Sequence, residues 1–232
     1  MNIAVSACLL GESVRYDGGH KLDKFITDEL GRYASFIPFC PESIAFGTPR
    51  DSIRLVNEED NILVLSNENS YDLTQQLLDK SYEELHKIAG TNLSGIIFKS
   101  KSPSCGMGSA KTYLKNGYVD TQSNGVFVAI CKDKFPLLPM EEESRLQDKR
   151  LRENFIRQLF AYDSIEKLKE NSPNIKSLVD FHVRNKLLLQ TKDKKLYKAL
   201  ENIVSNHENL PFNDLFANYE YNFKVAISKK AL

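Results

Sequence analysis

Short apolar runs separated by polar turns mark the first half of the chain, and the longest of them are too brief to be helices. Asn2 to Ser6, Ser35 to Phe39 and Gly95 to Phe98 are predicted as buried strands, and Ile53 to Val56 with Ile62 to Leu65 as a hairpin. Between them the spacing becomes helical. Leu22, Phe25, Ile26 and Leu30 predict a helix over Leu22 to Ala34, and Leu77, Leu78, Tyr82, Leu85 and Ile88 predict an amphipathic one over Thr74 to Ala89. Gly125 precedes a further apolar helix containing Cys131. Alternating strands and helices predict an α/β fold with a largely parallel, Rossmann-like sheet flanked by helices.

Phe135-Pro136-Leu137-Leu138-Pro139 interrupts this pattern. From Glu141 the chain is highly charged and helix-forming, with helices expected over Glu142 to Phe160, Ile175 to Leu189, Lys194 to Ser205 and Phe212 to Ser228. Asn171-Ser172-Pro173-Asn174 and Asn209-Leu210-Pro211 supply the breaks. The expected organisation is an α/β domain over 1–140 and an all-α extension over 141–232, with the boundary near Met140.

The strands end in a recurring way. Each of three predicted strands delivers a cysteine to its carboxyl end and the backbone then turns: Ala7-Cys8-Leu9-Leu10-Gly11, Cys40-Pro41-Glu42 and Ser102-Pro103-Ser104-Cys105-Gly106. Ligands of open α/β sheets bind at the carboxyl ends of the strands, so Cys8, Cys40 and Cys105 are expected to converge on one site. Cys131, inside an apolar helix, reads as core packing.

Charge narrows the field. Thirty-one basic residues balance 31 acidic ones, so no net field draws the chain toward nucleic acid or an anionic membrane. The stretch Lys192 to Lys195 reads as solvated helix surface. The first residues lack a basic leader and no run reaches membrane-spanning length, so a cytoplasmic protein is expected, with its four cysteines reduced.

Three thiols without a C-x2-C pair do not suit structural zinc, whereas thiolates are the natural ligands of an iron–sulfur cluster. Three ligands on a cubane leave one iron open to a substrate. Glu42 and Ser102 stand near Cys40 and Cys105, where they can exchange and relay protons; a helix-capping carboxylate and a turn hydroxyl are the plainer readings. Arg15, Asp17 and Arg50 lie on loops at the same edge, to orient a polar substrate or to form an ion pair closing the loops. His20 reads as a loop histidine rather than a ligand, His86 as surface, and His182 and His207 fall in the helical extension.

Ser6-Ala7-Cys8-Leu9-Leu10-Gly11 with Arg15-Tyr16-Asp17-Gly18-Gly19, Cys40-Pro41-Glu42 with Thr48-Pro49-Arg50, and Ser102-Pro103-Ser104-Cys105-Gly106 together resemble the DUF523 family of thiouracil desulfidases. The resemblance, over roughly residues 1 to 140, implies a 4Fe-4S cluster held by Cys8, Cys40 and Cys105, with Glu42 and Ser102 as catalytic residues. It implies an enzyme that hydrolytically removes sulfur from a thiolated nucleobase or nucleoside, giving the oxo base and hydrogen sulfide. Leu178 to Leu189 resembles the start of the DUF1722 (YbgA) domain often joined to this family, and members of that domain usually extend further than the residues left here.

Two other functions fit the same residues. Cys105 can be the nucleophile of a metal-free sulfur transferase, which needs a low thiol pKa. A cluster-binding sensor or tRNA adaptor would use the helical part as its partner surface, although the balanced charge gives tRNA no support.

Overall fold

Ile3, Ala4 and Val5 are fully buried, which places the first strand, β1 (Asn2–Ser6), in the middle of a sheet. β2 (Ser35–Phe39) runs parallel to it on one side and β5 (Leu93–Phe98) on the other, with the short β8 (Met140–Glu142) parallel to β5. The resulting order is β2-β1-β5-β8. The structure, a computed structural model, describes residues 1–59, 61–206, 208 and 210–229; His207, and Asn209 of the second expected break, lie outside the described residues.

A second sheet, ordered β4-β3-β6-β7, contains β3 (Ile53–Glu58), β4 (Asn61–Ser66), β6 (Met107–Leu114) and β7 (Val119–Asn124). β3 and β4 form the expected antiparallel hairpin, and β3 pairs in parallel with β6. The β6–β7 hairpin has no counterpart in the sequence reading. Nearly all of β7 is exposed, so the apolar alternation that reveals a half-buried strand is missing.

The helices depart from expectation where capping or tertiary packing decides. Over Leu22 to Ala34 a π-helical turn (Phe25–Glu29) runs into a 3-10 turn (Leu30–Arg32). Asp23 starts it by accepting from the Ile26 amide at 3.1 Å. α1 (Pro41–Phe46) follows β2 directly, with Pro41 in its first turn. α2 (Thr74–Ala89) buries Leu77, Ser81, Glu84, Leu85 and Ile88, while Tyr82, expected on the apolar face, is 50% exposed. α3 (Val126–Lys134) begins after Gly125 as expected, and Cys131 is fully buried on it.

The chain forms two compact units, Met1–Pro136 with Met140–Asp148, and Leu137–Pro139 with Lys149–Leu232. Because Met140–Glu142 completes the parallel sheet, the first unit continues past the boundary expected at Met140. The helix expected over Glu142 to Phe160 is instead α4 (Lys149–Glu170). α5 (Ile175–Lys192), α6 (Lys194–Ser205) and α7 (Phe212–Ser228) follow. Asn174 and Ser177 form a reciprocal capping box on α5, and Asp193 caps α6. The helical unit packs around Leu178, Phe181, Leu200, Leu215, Tyr219 and Phe223. No helix among the described residues is long and apolar enough to cross a membrane.

Lys192 corrects the reading of Lys192 to Lys195 as solvated surface. It is 3% exposed, and its ammonium donates to Asn154 Oδ1 and to the Lys229 carbonyl at 2.8 Å. Burial pushes its pKa down to about 8, with Arg157 adding to the fall. Folded and unfolded states then differ in bound protons between pH 8 and the ordinary lysine range, where the unfolded chain holds more. Stability relative to a Lys192→Met variant should therefore rise with pH above 8, as measured by urea unfolding at several pH values.

A second outcome concerns Gly125. A Cβ there would lie 2.5 Å from the Ser104 carbonyl and 2.7 Å from that of Pro103. Gly125→Ala should cost about 1–3 kcal/mol in chemical unfolding, the usual range for overpacking, and should displace the loop carrying Ser104.

Candidate active site

The parallel order places β2, β1 and β5 side by side, so their carboxyl ends share one edge. Cys8 lies in the 3-10 turn Ala7–Leu10 after β1, Cys40 at the junction of β2 and α1, and Cys105 in the loop between β5 and β6. All three thiols are free, and all three residues line one cavity of about 270 Å³. The same cavity is lined by Arg15, Glu42, Arg50 and Ser102. The structure thus brings together every expected site residue except Asp17. Asp17 lies outside that lining, where its carboxylate accepts from the Gly19 amide at 3.0 Å and pairs with Arg15 Nε at 3.6 Å. The Gly19 amide holds the Asp17 carboxyl below its usual range.

Glu42 occupies the first turn of α1, two residues beyond Cys40. One carboxylate oxygen accepts from the hydroxyls of Ser102 at 2.9 Å and Ser104 at 2.5 Å, and the other accepts from Arg50 Nη2 at 3.0 Å. Arg50 is itself fixed, its Nη1 donating to the carbonyls of Val14 and Gly47, each at 2.9 Å. The ion pair expected among the loop residues is formed by Arg15 with Asp17, while Arg50 pairs with Glu42 of α1 instead. His20 accepts from the Leu22 amide in its own loop and does not line the cavity.

The Cys105 loop is folded by its backbone as much as by its hydroxyls. Ser102 Oγ accepts from the amides of Ser104 and Cys105, and the Gly106 amide donates to the Ser102 carbonyl at 2.8 Å. The first amides of α3, Val126 and Phe127, donate to the carbonyls of Pro103 and Ser104, so the helix start seals the loop from behind. Gly106 is required there because a Cβ would sit 2.8 Å from the Ala110 amide nitrogen.

Several contributors escaped the sequence reading. Ser104 donates to Glu42, and its oxygen lies 3.4 Å from Cys105 Sγ. Lys99 lines the cavity, and its ammonium is held by Glu143 and by the Ser100 hydroxyl. Glu84, buried on α2, accepts from the Cys40 amide at 2.8 Å and thereby fixes the bend that presents Cys40. The available signal for Glu84 was its position on the same helical face as Leu77, Ser81 and Ile88.

Burial pushes the Cys8 thiol up to about 12; Cys40 adds to the rise, and Lys99 and Arg15 oppose it. Burial also raises Cys40, with the Ser43 hydroxyl opposing, and raises Cys105 well above its ordinary value, with Glu42 adding to the rise. Such thiols are neutral unless a cation holds them as thiolates. Among the described residues no three His, Cys, Asp or Glu side chains are gathered tightly enough for a single metal ion. A cubane cluster asks for something different, soft donors facing one cavity from separate directions, and the three cysteines fit that requirement.

Comparison with known proteins matches two separate stretches of the chain. The profile of the family described as 2-thiouracil desulfurase matches residues 3–143, and that of a protein of unknown function, DUF1722, matches residues 186–232. Uncharacterized protein YbbK of Bacillus subtilis (strain 168) is 31% identical over 146 residues, which are 56% of this chain and 89% of that protein. The solved structure of the 4Fe-4S-dependent thiouracil desulfidase TudS is 28% identical with a TM-score of 0.51, covering 63% of this chain and 93% of that one. With a match spanning residues 3–143, at the cavity and the sheet that builds it, the chain belongs to the 2-thiouracil desulfurase family.

Proposed function

We propose that this chain is a desulfidase that removes sulfur from a thiolated nucleobase of the thiouracil kind, giving the oxo base and hydrogen sulfide. The observation that carries the reading is the single cavity shared by Cys8, Cys40, Cys105 and the Glu42–Ser102–Ser104 group. Cys8, Cys40 and Cys105 would hold a 4Fe-4S cluster, which would supply Lewis acidity toward the substrate's sulfur.

The chain's own residues supply the proton handling. The overall change replaces a carbon–sulfur double bond with a carbon–oxygen one at the expense of one water, with no net oxidation. Glu42 takes a proton from the attacking water, and its contacts with Ser102 and Ser104 give that proton a path toward the departing sulfur. Arg50 holds the second carboxylate oxygen, so Glu42 keeps its orientation while its first oxygen works. Arg15 lines the cavity with its Nε ion-paired to Asp17, so its guanidinium is held as a cation for a substrate acceptor.

A metal-free sulfur transferase fits less well. Its nucleophile needs a depressed thiol pKa, and burial moves Cys105 the other way.

Protein prepared without oxygen, given 2-thiouracil or 4-thiouracil, should release sulfide. Glu42→Gln should keep its iron yet lose roughly 100-fold or more in kcat, the scale of general acid–base catalysis. Full activity in Glu42→Gln would remove Glu42 from the mechanism, and an iron-loaded protein inert toward every thiolated base would overturn the reading.

A further inference from the structure

The loop that presents Cys105 also carries Ser102 and Ser104, so its placement governs both a thiol and the hydroxyls on Glu42. The loop's own bonds around Ser102 shape its middle, and its ends must be set from outside. The two ends are held by adjacent residues. At the beginning, the Ser100 amide donates to Glu143 Oε2 at 2.6 Å, and the Ser100 hydroxyl donates to Glu143 Oε1 at 2.8 Å. At the far end, the Met107 amide donates to Glu142 Oε1, which also accepts from the Ser109 hydroxyl.

We propose that Glu142 and Glu143 are positioning residues, a two-carboxylate clamp that closes the Ser100–Met107 loop and presents Cys105, Ser102 and Ser104 to the cavity. Both residues are buried, Glu142 at 2% exposure. Neither lines the cavity, so neither is spent on substrate. β8 ends at Glu142, and the Glu143 amide still donates to the Phe98 carbonyl at 3.1 Å, so both carboxylates stand beside the end of β5, where the loop begins.

Two further contacts tighten the arrangement. Ser109 accepts from the Lys101 amide at 2.7 Å while donating to Glu142, linking the interior of the loop to the clamp. Lys101 has φ +60°, a conformation that an L residue adopts only when its surroundings impose it. Lys99 is the counter-ion. Its ammonium donates to Glu143, to the Ser100 hydroxyl at 3.0 Å and to the Ser100 carbonyl at 3.1 Å, so its three protons are engaged in the clamp. Glu141 touches neither end of the loop; its carboxylate pairs with Arg145 Nε at 2.7 Å and accepts from the Glu142 amide at 3.0 Å, holding the backbone of the clamp.

The contact itself is independent of the cluster, while its consequence for iron rests on the function proposed above. Hydrogen exchange in metal-free protein reads the contact, and iron loss to a chelator reads the consequence. Glu142→Ala should speed exchange at Met107, and Glu143→Ala at Ser100, each by at least about tenfold, with β1 amides unchanged. Iron should leave both variants at least about tenfold faster than the unsubstituted protein. Glu220→Ala, which removes a buried carboxylate of the helical unit, should change neither, and Glu142→Gln, whose amide oxygen still accepts from the Met107 N–H, should restore most of the protection and retention. Unchanged exchange in both alanine variants, or an equal effect of Glu220→Ala, overturns the clamp. Should the alanine variants fail to fold, the unsubstituted metal-free protein decides: protection at Ser100 and Met107 comparable to β5 supports it, and exchange at the rate of an exposed turn overturns it. A protein that binds no iron but shows these exchange effects leaves the clamp standing and removes the cluster.

Discussion

Parallel alignment of β2, β1 and β5 is the constraint on which the site depends. An antiparallel neighbour would send its carboxyl end, and its cysteine, to the opposite edge of the sheet. With all three strands pointing one way, the residues that follow them share one edge at the place where the connections diverge, β1 leading outward to β2 while β5 lies on its other side. Burial of Ile3, Ala4, Val5, Ile96, Ile97 and Phe98 enforces that order, because the central strands have no face left for solvent. Packing of ordinary aliphatic residues thus decides which thiols can cooperate.

Gathering thiols in a buried place works against their charge. Burial is the first cause of the rise at each of Cys8, Cys40 and Cys105, and neighbouring groups add to it or oppose it. The cluster proposed above would offset this cost by holding the sulfurs as thiolate ligands. Carboxylates also surround the site, yet they are divided by task. Glu42 reaches the cavity, whereas Glu84, Glu142 and Glu143 turn to backbone amides of the loops that carry the cysteines. A backbone amide held by a buried carboxylate is a stronger and more directional restraint than a neutral hydrogen bond.

What the sequence revealed was local. A strand, then a cysteine, then a turn is visible in a dozen residues, and the rule for open α/β sheets turned three such segments into one expected site with Glu42 and Ser102 beside it. The hidden parts depend on distant partners. Glu84 meets Cys40 from 44 residues away, and Glu143 meets Ser100 from 43. Glu141, Glu142 and Glu143 read as the start of a charged helix, but Met140–Glu142 is a strand because β5 has an open edge for it to pair with. Lys192 reads as surface for the same reason, since composition does not tell which lysine finds Asn154 and a carbonyl inside the fold. The polar β7 gave no alternation to detect, because the ladder with β6, rather than a buried face, makes it a strand.

The central claim is that three thiols hold one cluster, and metal content tests it most directly. Protein prepared and kept without oxygen should contain about four iron and about four acid-labile sulfide per chain. That content should fall in variants of Cys8, Cys40 or Cys105 and persist when Cys131, buried on α3, is replaced. Negligible iron after anaerobic reconstitution, or equal loss with Cys131, would contradict the account.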